Sequence, residues 1–121
     1  MMRVGIDLVE VNRFVKMAEQ KNTLGKVFSE YEIEHIGKAA HTLPRMAGLY
    51  AAKEAVVKAL GIGLFGGLVL NEIEIRHDDN GRPYLNVTDK IKELFSKYGV
   101  SKADVSISHT DSLATAICIL E

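Results

Sequence analysis

The sequence predicts an α+β fold in which an antiparallel sheet is combined with helices grouped mainly in the N-terminal half. Signals for helix starts and ends are concentrated before residue 61, whereas hairpin and strand signals follow a glycine-rich stretch at 61–67. The 121 residues contain no internal repeat, low-complexity tract or linker, so residues 1–121 are predicted to form a single domain.

The first predicted elements are a strand and two helices. Residues 2–9 are β-branched and apolar enough for a buried strand, although Asp7 interrupts the run. An amphipathic helix is predicted over 11–21, where apolar side chains recur at helical spacing. Ser29 and Glu32 have the spacing of a capping box, which predicts a second helix from about residue 30.

A third helix is predicted between Thr42 and Gly61. Thr42 followed by Pro44 is typical of a helix start, and Gly61 suits the position just after a helix end. The helix carries the run "YAAKEAVVKALGIG", in which charged residues are crowded among alanines and valines. The four glycines of 61–67 are incompatible with regular structure and predict a loop.

The second half of the chain is predicted to contain strands and one short helix. "VLNEIEIRH" (69–77) alternates like a half-buried strand, "DDNG" marks a hairpin, and "RPYLNV" (82–87) is the returning strand. Thr88 begins a short helix that Gly99 ends. The chain closes with "DVSISHT" and "LATAICIL", which are predicted to be two strands joined by a tight turn.

Charge and hydropathy exclude several classes of protein. The formal net charge is −1, from 15 Lys and Arg against 16 Asp and Glu, which argues against a nucleic-acid binder with a broad basic surface. A basic stretch at 11–26 followed by an acidic one fits a local partner site instead. No apolar run approaches the roughly 20 residues of a membrane span, and the N-terminus lacks the apolar core of a signal peptide. We therefore expect a cytoplasmic protein whose partners include neither nucleic acid nor membrane.

The sequence offers no convincing nucleophile. The single cysteine, Cys118, excludes an intramolecular disulfide framework, and its apolar setting predicts a buried, inert thiol. There is also no Gly-x-Ser-x-Gly elbow. If the protein is a transferase, the nucleophile is expected to arrive on the substrate.

Asp7 requires a partner if its strand is buried. A carboxylate in a buried strand is costly unless it is paired, hydrogen-bonded or bound to a metal. Two interpretations remain open: Asp7 is a metal ligand, or it is a strand-end residue that pairs with a cation of a nearby helix.

Glu54 and Lys58 are four residues apart, in the order that favours an ion pair on a helix surface. The surrounding alanines and valines, however, leave little polar surface for a solvated face. Lys53 lies next to Glu54 around the helix, so two ammonium groups are expected to flank one carboxylate. Such a grouping suits a metal-bound phosphate, and the plain ion pair remains the alternative.

His109 lies in "SISHTDS", where four consecutive polar side chains break the strand pattern. Ser108, His109 and Thr110 offer several donors at a strand end, so a ligand contact there is weighed against a purely structural histidine. The glycines of 61–67 can bind phosphate through backbone N–H groups or form only a turn, because they match neither phosphate-binding fingerprint. The remaining histidines are interpreted as surface or packing residues: His35, His41 and His77.

Four motifs together resemble one family. "GIDLVEVNRF", "AAKEAVVKALGIG", "IEIRHDDNGRPY" and "SISHT" occur in the order and spacing seen in holo-[acyl-carrier-protein] synthases, the small 4′-phosphopantetheinyl transferases. The resemblance implies that family's fold and the transfer of 4′-phosphopantetheine from coenzyme A to a serine of acyl carrier protein, in fatty acid biosynthesis, with release of adenosine 3′,5′-bisphosphate. It also implies Mg²⁺ as cofactor and a homotrimer with active sites between subunits.

The resemblance further implies roles for particular residues. Asp7 and Glu54 match the magnesium ligands, and Lys58 matches a lysine that contacts a coenzyme A phosphate. Glu54, Lys58 and His109 are the expected catalytic residues, with the general base left open between Glu54, a metal-bound hydroxide and His109. The positions expected to contact coenzyme A are Arg45, Lys53, Lys58, Gly61, Gly63, Ser108, His109 and Thr110. The positions that match the carrier-protein docking face are Arg13, Met17 and Lys26.

The chain departs from the family pattern in two places. Many relatives have Arg-Phe where this chain has Leu49 and Tyr50, which removes an expected guanidinium contact to the nucleotide phosphate. Arg45 lies one helical turn earlier than Leu49 and is expected to reach the same region. Thr23 occupies a position where a docking arginine is expected, which makes the predicted docking surface less basic.

The final two strands are more hydrophobic than a solvated face requires, which favours their burial between subunits. Two other functions would use the same charged residues: a metal-dependent phosphohydrolase acting on a nucleotide, and a trimeric module that binds coenzyme A without chemistry. The phosphohydrolase would release products from coenzyme A without a carrier protein. The binding module would show no magnesium-dependent turnover.

Overall fold

A helix lying across a three-stranded antiparallel sheet forms the centre of the molecule. The helix is α4 (Thr42–Leu60), and it contacts all three strands. In spatial order the strands are β1 (Arg3–Glu10), β5 (Leu113–Leu120) and β4 (Ala103–His109). These features come from a computed structural model, which describes residues 1–37, 42–63 and 67–121.

The remaining elements are short. They are a 3₁₀ turn (Val11–Phe14), α1 (Val15–Glu19), α2 (Lys21–Val27), α3 (Glu30–Gly37), a second 3₁₀ turn (Leu70–Glu72), β2 (Ile75–His77), β3 (Pro83–Leu85) and α5 (Asp89–Tyr98). β2 and β3 pair as an antiparallel hairpin of their own. The prediction of an α+β fold with an antiparallel sheet and with helices mainly in the N-terminal half is therefore confirmed.

Small residues allow β1 to lie directly against α4. A Cβ atom built on Gly5 would lie 2.0 Å from the carbonyl oxygen of Ala55 and 2.6 Å from the amide nitrogen of Ala59. Both distances are far below the roughly 3.5–4.0 Å at which non-bonded heavy atoms pack. Gly48 makes a similar approach to β4, because a Cβ there would lie 2.8 Å from Cγ2 of Ile107. α4 therefore crosses the sheet from β4 at Gly48 to β1 at Ala55.

Several predicted helix ends are confirmed. The α3 capping box forms, since the Glu32 N–H donates to Ser29 Oγ at 3.2 Å and the Ser29 N–H donates to Glu32 Oε1 at 2.9 Å. Thr88 caps α5, and Gly99 ends it in the left-handed region at φ +70°. The second helix was predicted from the stretch "SEYEIEHIGKA" (29–39), of which residues 38 and 39 lie outside the described residues, as does His41.

The prediction of one helix over 11–21 is wrong. The segment forms a 3₁₀ turn and the five-residue α1, and Gln20 then adopts an extended conformation at φ −113° and ψ 94°. A separate helix, α2, follows and was not predicted. Val11 and Phe14 are buried, so tertiary packing of these two side chains fixes the tight turn after β1.

The prediction of a strand over 69–77 is also largely wrong, because β2 begins only at Ile75. The backbone carbonyls of Leu70 and Ile73 accept hydrogen bonds from Lys53 Nζ, and the Ile75 N–H donates to Glu32 Oε2 at 2.9 Å. These backbone groups are therefore satisfied by buried side chains instead of a neighbouring strand. The returning strand is likewise shorter than 82–87.

Neither α4 nor any other helix of the described ranges combines the length and apolar character that a membrane crossing requires. α4 carries four charged side chains within its 19 residues.

β1 leaves an apolar strip on the side of the sheet that faces away from α4. Val4, Ile6 and Leu8 are 62%, 62% and 65% exposed, whereas the alternating positions of the strand face α4. The strip continues onto β5, where Ile117 pairs with Ile6 and Ile119 pairs with Val4. We name these five side chains the outer strip. Its most exposed members lie on the first strand, not on the two final strands that the sequence indicated.

Candidate active site

Asp7 lies on the side of β1 that faces α4, and its side chain is only 13% exposed. Its Oδ1 is 3.0 Å from Lys58 Nζ, which also donates to the Ile6 carbonyl at 3.0 Å. The close approach at Gly5 brings β1 near enough to α4 for this contact. Of the two interpretations left open by the sequence, pairing with a helix cation is therefore observed.

The second carboxylate oxygen of Asp7 keeps the metal interpretation open as well. Oδ2 is buried and has no hydrogen-bond partner among the described residues. A buried carboxylate oxygen without a partner is unfavourable, because it has lost its hydration. Lys58 occupies one oxygen, so Oδ2 remains available to a cation or a water molecule.

Glu54 lies one turn before Lys58 on α4 and is partly buried. The predicted ion pair between Glu54 and Lys58 does not form, because the Lys58 ammonium contacts Asp7 instead. In the described part of the chain, Glu54 makes no hydrogen bond or ion pair. The negative charge of Glu54 affects Tyr50. Burial raises the pKa of the Tyr50 phenol, and the negative charges of Glu54 and Asp7 raise it further.

Two acidic side chains are a suitable protein contribution to a magnesium site. Mg²⁺ prefers oxygen ligands and is commonly held by one or two carboxylates together with phosphate oxygens and water. Asp7 and Glu54 provide such oxygens, and Asp7 Oδ2 is the unpartnered one. Across the ranges that the structure describes, no cluster of three or more His, Cys, Asp or Glu side chains is positioned around a single ion.

The expectation that Lys53 flanks Glu54 is wrong. Lys53 is fully buried, and its ammonium group contacts the Glu32 carboxylate and the carbonyls of Leu70 and Ile73. Three acceptors match the three N–H donors of the ammonium group. Burial lowers the pKa of Lys53 and raises the pKa of Glu32, because desolvation outweighs their mutual attraction. Lys53 thus joins α4 to α3 in the core and is not exposed to a ligand.

A cavity of about 240 Å³ lies at the other end of the α4–sheet contact, next to Gly48. Arg45 and Leu49 of α4 line it together, as expected from their spacing, and His109 faces it from the end of β4. His35 and His77 complete its polar wall. Because Gly48 and Lys58 are ten residues apart on α4, the cavity lies about 15 Å along the helix from the lysine that contacts Asp7.

Only His109 of the three polar residues at the end of β4 lines this cavity. Ser108 and His109 are consecutive in a strand, so their side chains point to opposite faces of the sheet. The Thr110 hydroxyl accepts hydrogen bonds from the N–H groups of Ser112 and Leu113, at 3.2 and 3.1 Å, within the turn between β4 and β5. Within one chain the three side chains therefore do not converge on one point, and their contact with coenzyme A stays a prediction.

The glycine stretch begins as a helix end. The Gly61 N–H donates to the carbonyls of Val57 and Lys58 at 2.9 and 3.2 Å, so it is not available to a phosphate. Gly61 and Gly63 adopt positive φ values of +72° and +58°. Residues 64–66 of the expected phosphate loop lie outside the described residues.

The three expected docking residues lie on different elements. Arg13 is exposed in the first 3₁₀ turn, and its guanidinium lies 5.6 Å from the centre of the Tyr50 ring. Met17 on α1 is partly buried against the core, and Lys26 on α2 is exposed. Thr23 is on α2 as well, where its hydroxyl donates to the Gln20 side chain at 3.2 Å.

Sequence reasoning missed four residues that build this region. Tyr50 packs edge-to-face on Phe14 and lies in the field of Asp7 and Glu54. Glu32 was assigned only its capping role, because nothing in the local pattern indicates its contact with a lysine 21 positions later. His35 and His77 were interpreted as surface or packing residues, since only the tertiary fold brings them beside Arg45.

Comparison with known proteins identifies the class of this fold and site. Residues 3–118 match the family model of the 4′-phosphopantetheinyl transferase superfamily, so the chain belongs to that superfamily and is an enzyme of the transferase class. Its similar proteins include holo-[acyl-carrier-protein] synthases. The one from Syntrophus aciditrophicus is 44% identical over 119 residues, covering 97% of this chain and 93% of the relative. The one from Geotalea daltonii is 39% identical, covering 97% and 95%.

Solved structures of the same kind of enzyme share the fold. The holo-[acyl-carrier-protein] synthase of Neisseria meningitidis superimposes with a TM-score of 0.88 at 25% identity, covering 98% of this chain and 97% of that one. The Helicobacter pylori enzyme, solved in complex with coenzyme A, superimposes with a TM-score of 0.84 at 26% identity, covering 98% and 99%.

Proposed function

We propose that this enzyme transfers 4′-phosphopantetheine from coenzyme A to a serine of apo-acyl carrier protein, and that the reaction requires Mg²⁺ and serves fatty acid biosynthesis in the cytoplasm. The proposal is supported by the relatives named holo-[acyl-carrier-protein] synthase and by solved neighbours that contain coenzyme A. The observation that carries it in this chain is the contact of Asp7 with Lys58 beside Glu54, with one Asp7 oxygen left unpartnered.

In the proposed reaction the serine hydroxyl of the carrier protein attacks the β-phosphorus of the coenzyme A pyrophosphate. A bond forms between the serine oxygen and this phosphorus, and the bond from the phosphorus to the bridging oxygen breaks. The leaving group is adenosine 3′,5′-bisphosphate, and the serine proton passes to a base. The lack of a convincing protein nucleophile agrees with such a reaction, because the attacking oxygen belongs to the substrate.

Asp7 and Glu54 would hold Mg²⁺, and the ion would supply neutralisation of pyrophosphate charge. Lys58 would add a cation beside the same phosphates. Its side chain is 53% exposed, and its ammonium group is already fixed by Asp7 and by the Ile6 carbonyl. A group that is held before substrate arrives stabilises developing charge without reorganisation.

We favour Glu54 as the base that accepts the serine proton. It is partly buried, and in the described ranges no hydrogen bond or ion pair engages its carboxylate, so the carboxylate can face a substrate hydroxyl. His109 lines the cavity at Gly48, which is about 15 Å along α4 from Lys58. We therefore assign His109, together with Arg45, to the nucleotide end of coenzyme A. Ser108 points to the other face of the sheet, and in our proposal it would contact coenzyme A held by a neighbouring subunit.

The carrier protein would dock on the face that bears Arg13, Met17 and Lys26. Arg13 lies near the proposed site, because its guanidinium is 5.6 Å from the ring centre of Tyr50, whose pKa is affected by the charge of Glu54. Two exposed cations around a partly buried methionine suit an acidic partner surface with an apolar centre.

We also propose that the enzyme is a homotrimer whose subunits meet on the outer strip. The strip contains three side chains that are more than 60% exposed, all on one face of β1. Contiguous exposed apolar side chains of this kind are typical of an interface. Asp7 alternates with Ile6 and Leu8 along β1, so the proposed active site would lie at the edge of this interface.

A mass measurement on the carrier protein tests the proposed function. Apo-acyl carrier protein is incubated with the enzyme, coenzyme A and either MgCl₂ or EDTA, and its intact mass is recorded. We expect the mass to increase by one phosphopantetheine group with magnesium and to stay constant with EDTA. Breakdown of coenzyme A without carrier modification would identify a phosphohydrolase instead, and binding of coenzyme A without any turnover would identify a binding module.

A further inference from the structure

A stack of three aromatic rings lies behind Arg45 at the wall of the 240 Å³ cavity. His35 of α3 is in the middle. The His77 ring lies on one side with a centroid distance of 4.1 Å and an angle of 10°, and the Tyr31 ring lies 6.1 Å away at 8°. The backbone N–H of His77 also donates to the Tyr31 hydroxyl at 3.3 Å, which links β2 to α3. The plane of the His35 ring is therefore fixed from two elements.

Arg45 contacts the edge of this ring. Its Nη1 is 2.7 Å from His35 Nε2. A guanidinium can only donate and stays protonated, so His35 Nε2 must accept and the ring proton must be on Nδ1. One of the five N–H donors of Arg45 is thus used by His35, and others remain for a ligand in the cavity.

The contact restricts a side chain that would otherwise be mobile. Arg45 is exposed, and holding an exposed arginine in one geometry costs side-chain entropy. Because His35 already holds Arg45, part of this entropy is lost before a ligand binds and does not weaken its binding. His77 itself stays neutral at pH 7, because burial, His35 and Arg45 together lower its pKa to about 4. Arg45 is therefore the permanent cation of this wall.

The cavity wall beside Arg45 is apolar. Leu49 lines the same cavity one turn later and is 1% exposed, so it adds apolar surface and no charge to the wall. Cavity walls that combine apolar surface with one fixed guanidinium suit an adenosine bearing a phosphate monoester.

We propose that His35, supported by Tyr31 and His77, is a positioning residue that holds Arg45 as the phosphate-recognising group for the nucleotide end of coenzyme A. The identity of this ligand rests on the proposed function. The positioning of Arg45 rests on the ring stack and on the contact between Arg45 and His35.

Substitutions of His35 distinguish its proposed role in holding Arg45 from a purely structural role in the ring stack. His35→Phe keeps a flat ring in the stack and removes the acceptor, whereas His35→Gln keeps an acceptor. We expect His35→Phe to raise the dissociation constant of adenosine 3′,5′-bisphosphate and the KM for coenzyme A about tenfold, as for the loss of one hydrogen bond to a charged group. The kcat should stay within about twofold, and His35→Gln should recover most of the affinity.

A double-mutant cycle with Arg45→Met shows whether His35 acts through Arg45. We expect the double variant to bind adenosine 3′,5′-bisphosphate no more weakly than Arg45→Met alone. Additive losses, or unchanged affinity in a correctly folded His35→Phe, would overturn the proposal. Lys92→Met removes an exposed cation on α5 and serves as the control, with no change in affinity expected.

Two features keep the test decisive. Calorimetric binding of adenosine 3′,5′-bisphosphate requires no turnover. If the His35 and Arg45 variants show the predicted affinities but the carrier protein is not modified, the proposed reaction is rejected and the positioning role of His35 is kept. Normal transfer without the pattern would reject the positioning role alone. If His35→Phe fails to fold, a long-range ¹H–¹⁵N spectrum of the unsubstituted protein decides, because an Nε2–H tautomer of His35 at pH 7 would contradict the proposal.

Discussion

Lys53 and Lys58 are both on α4, yet they lie in opposite environments. Lys53 is enclosed by Glu32 and two backbone carbonyls, whereas Lys58 is half exposed and contacts Asp7. The sequence singled out Asp7, Glu54 and Lys58 as candidate site residues, because charged residues in apolar surroundings require partners. It could not predict which side of α4 each lysine occupies, since that depends on where α3 and the segment before β2 pack.

Cys118 illustrates a residue that local sequence did predict. Its apolar run indicated a buried thiol, and the structure buries it completely. Burial, with a smaller contribution from Asp104, raises the pKa of the thiol to about 12. The thiolate is therefore essentially absent at neutral pH, as expected for an inert cysteine.

At the residue scale, His77 predicts a pH dependence of stability. Its pKa is about 4 in the fold against about 6.5 in an unfolded chain, because of burial and of the neighbouring His35 and Arg45, with Asp78 acting in the opposite direction. Between these values the unfolded chain binds a proton that the folded chain does not. The free energy of unfolding therefore falls as pH falls from about 6.5 to 4.

The size of this effect is about 1–2 kcal/mol after allowance for solvent, since His77 is only partly buried. His77→Phe keeps an aromatic ring in the stack and cannot titrate. We expect urea unfolding at pH 7 and pH 5 to show a smaller pH-dependent loss for His77→Phe than for the unsubstituted protein. An identical loss in both proteins would refute the role of His77.

At the element scale, the contact between β1 and α4 holds the two carboxylate-bearing segments together. Gly5 makes it possible, and Asp7 and Lys58 meet across it. The starts of α3, α4 and α5 and the ends of α4 and α5 were correctly predicted, because capping is local chemistry. The segments at 11–21 and 69–77 were not, because their conformations depend on buried side chains from other elements.

Gly5→Ala tests this contact. The added methyl group would overlap the α4 backbone at Ala55 and Ala59, so we expect a loss of stability of about 3 kcal/mol or more, with activity reduced in parallel. Gly25→Ala is the matched control. It lies inside α2 with open space around its Cβ position, so it should stabilise the protein by up to about 1 kcal/mol. Chemical unfolding at one fixed protein concentration measures both; equal stability of the two variants would contradict the account.

At the scale of the whole molecule, the outer strip is the feature that the isolated chain leaves unexplained. The sequence indicated that apolar strand surface would be buried between subunits, but it pointed to the last two strands. The most exposed apolar strand residues of the described ranges are instead on β1, which is an edge strand and pairs there with β5 alone. Which strand forms the edge follows from the order of strands, and local patterns do not encode that order.

Val4→Asp tests the assembly. A carboxylate in the middle of a buried interface is strongly unfavourable, so light scattering should give the mass of a trimer for the unsubstituted protein and of a monomer for Val4→Asp. The monomer should also lose activity if the active site is shared. Val87→Asp is the control, since Val87 is 45% exposed at the end of the hairpin and outside the strip. A trimer that survives Val4→Asp would show that the strip is not the interface.

We propose that Asp7 on β1 and Glu54 on α4 carry phosphopantetheine transfer. The most direct measurement is the rate of carrier-protein modification, followed by intact mass with coenzyme A and Mg²⁺, for Asp7→Asn and Glu54→Gln. Glu93→Gln, an exposed carboxylate of α5, is the control. We predict that both site variants keep the native assembly and lose at least about a hundredfold in rate, while Glu93→Gln retains full activity. Rates near that of the unsubstituted enzyme in a correctly assembled Asp7→Asn or Glu54→Gln variant would contradict the claim.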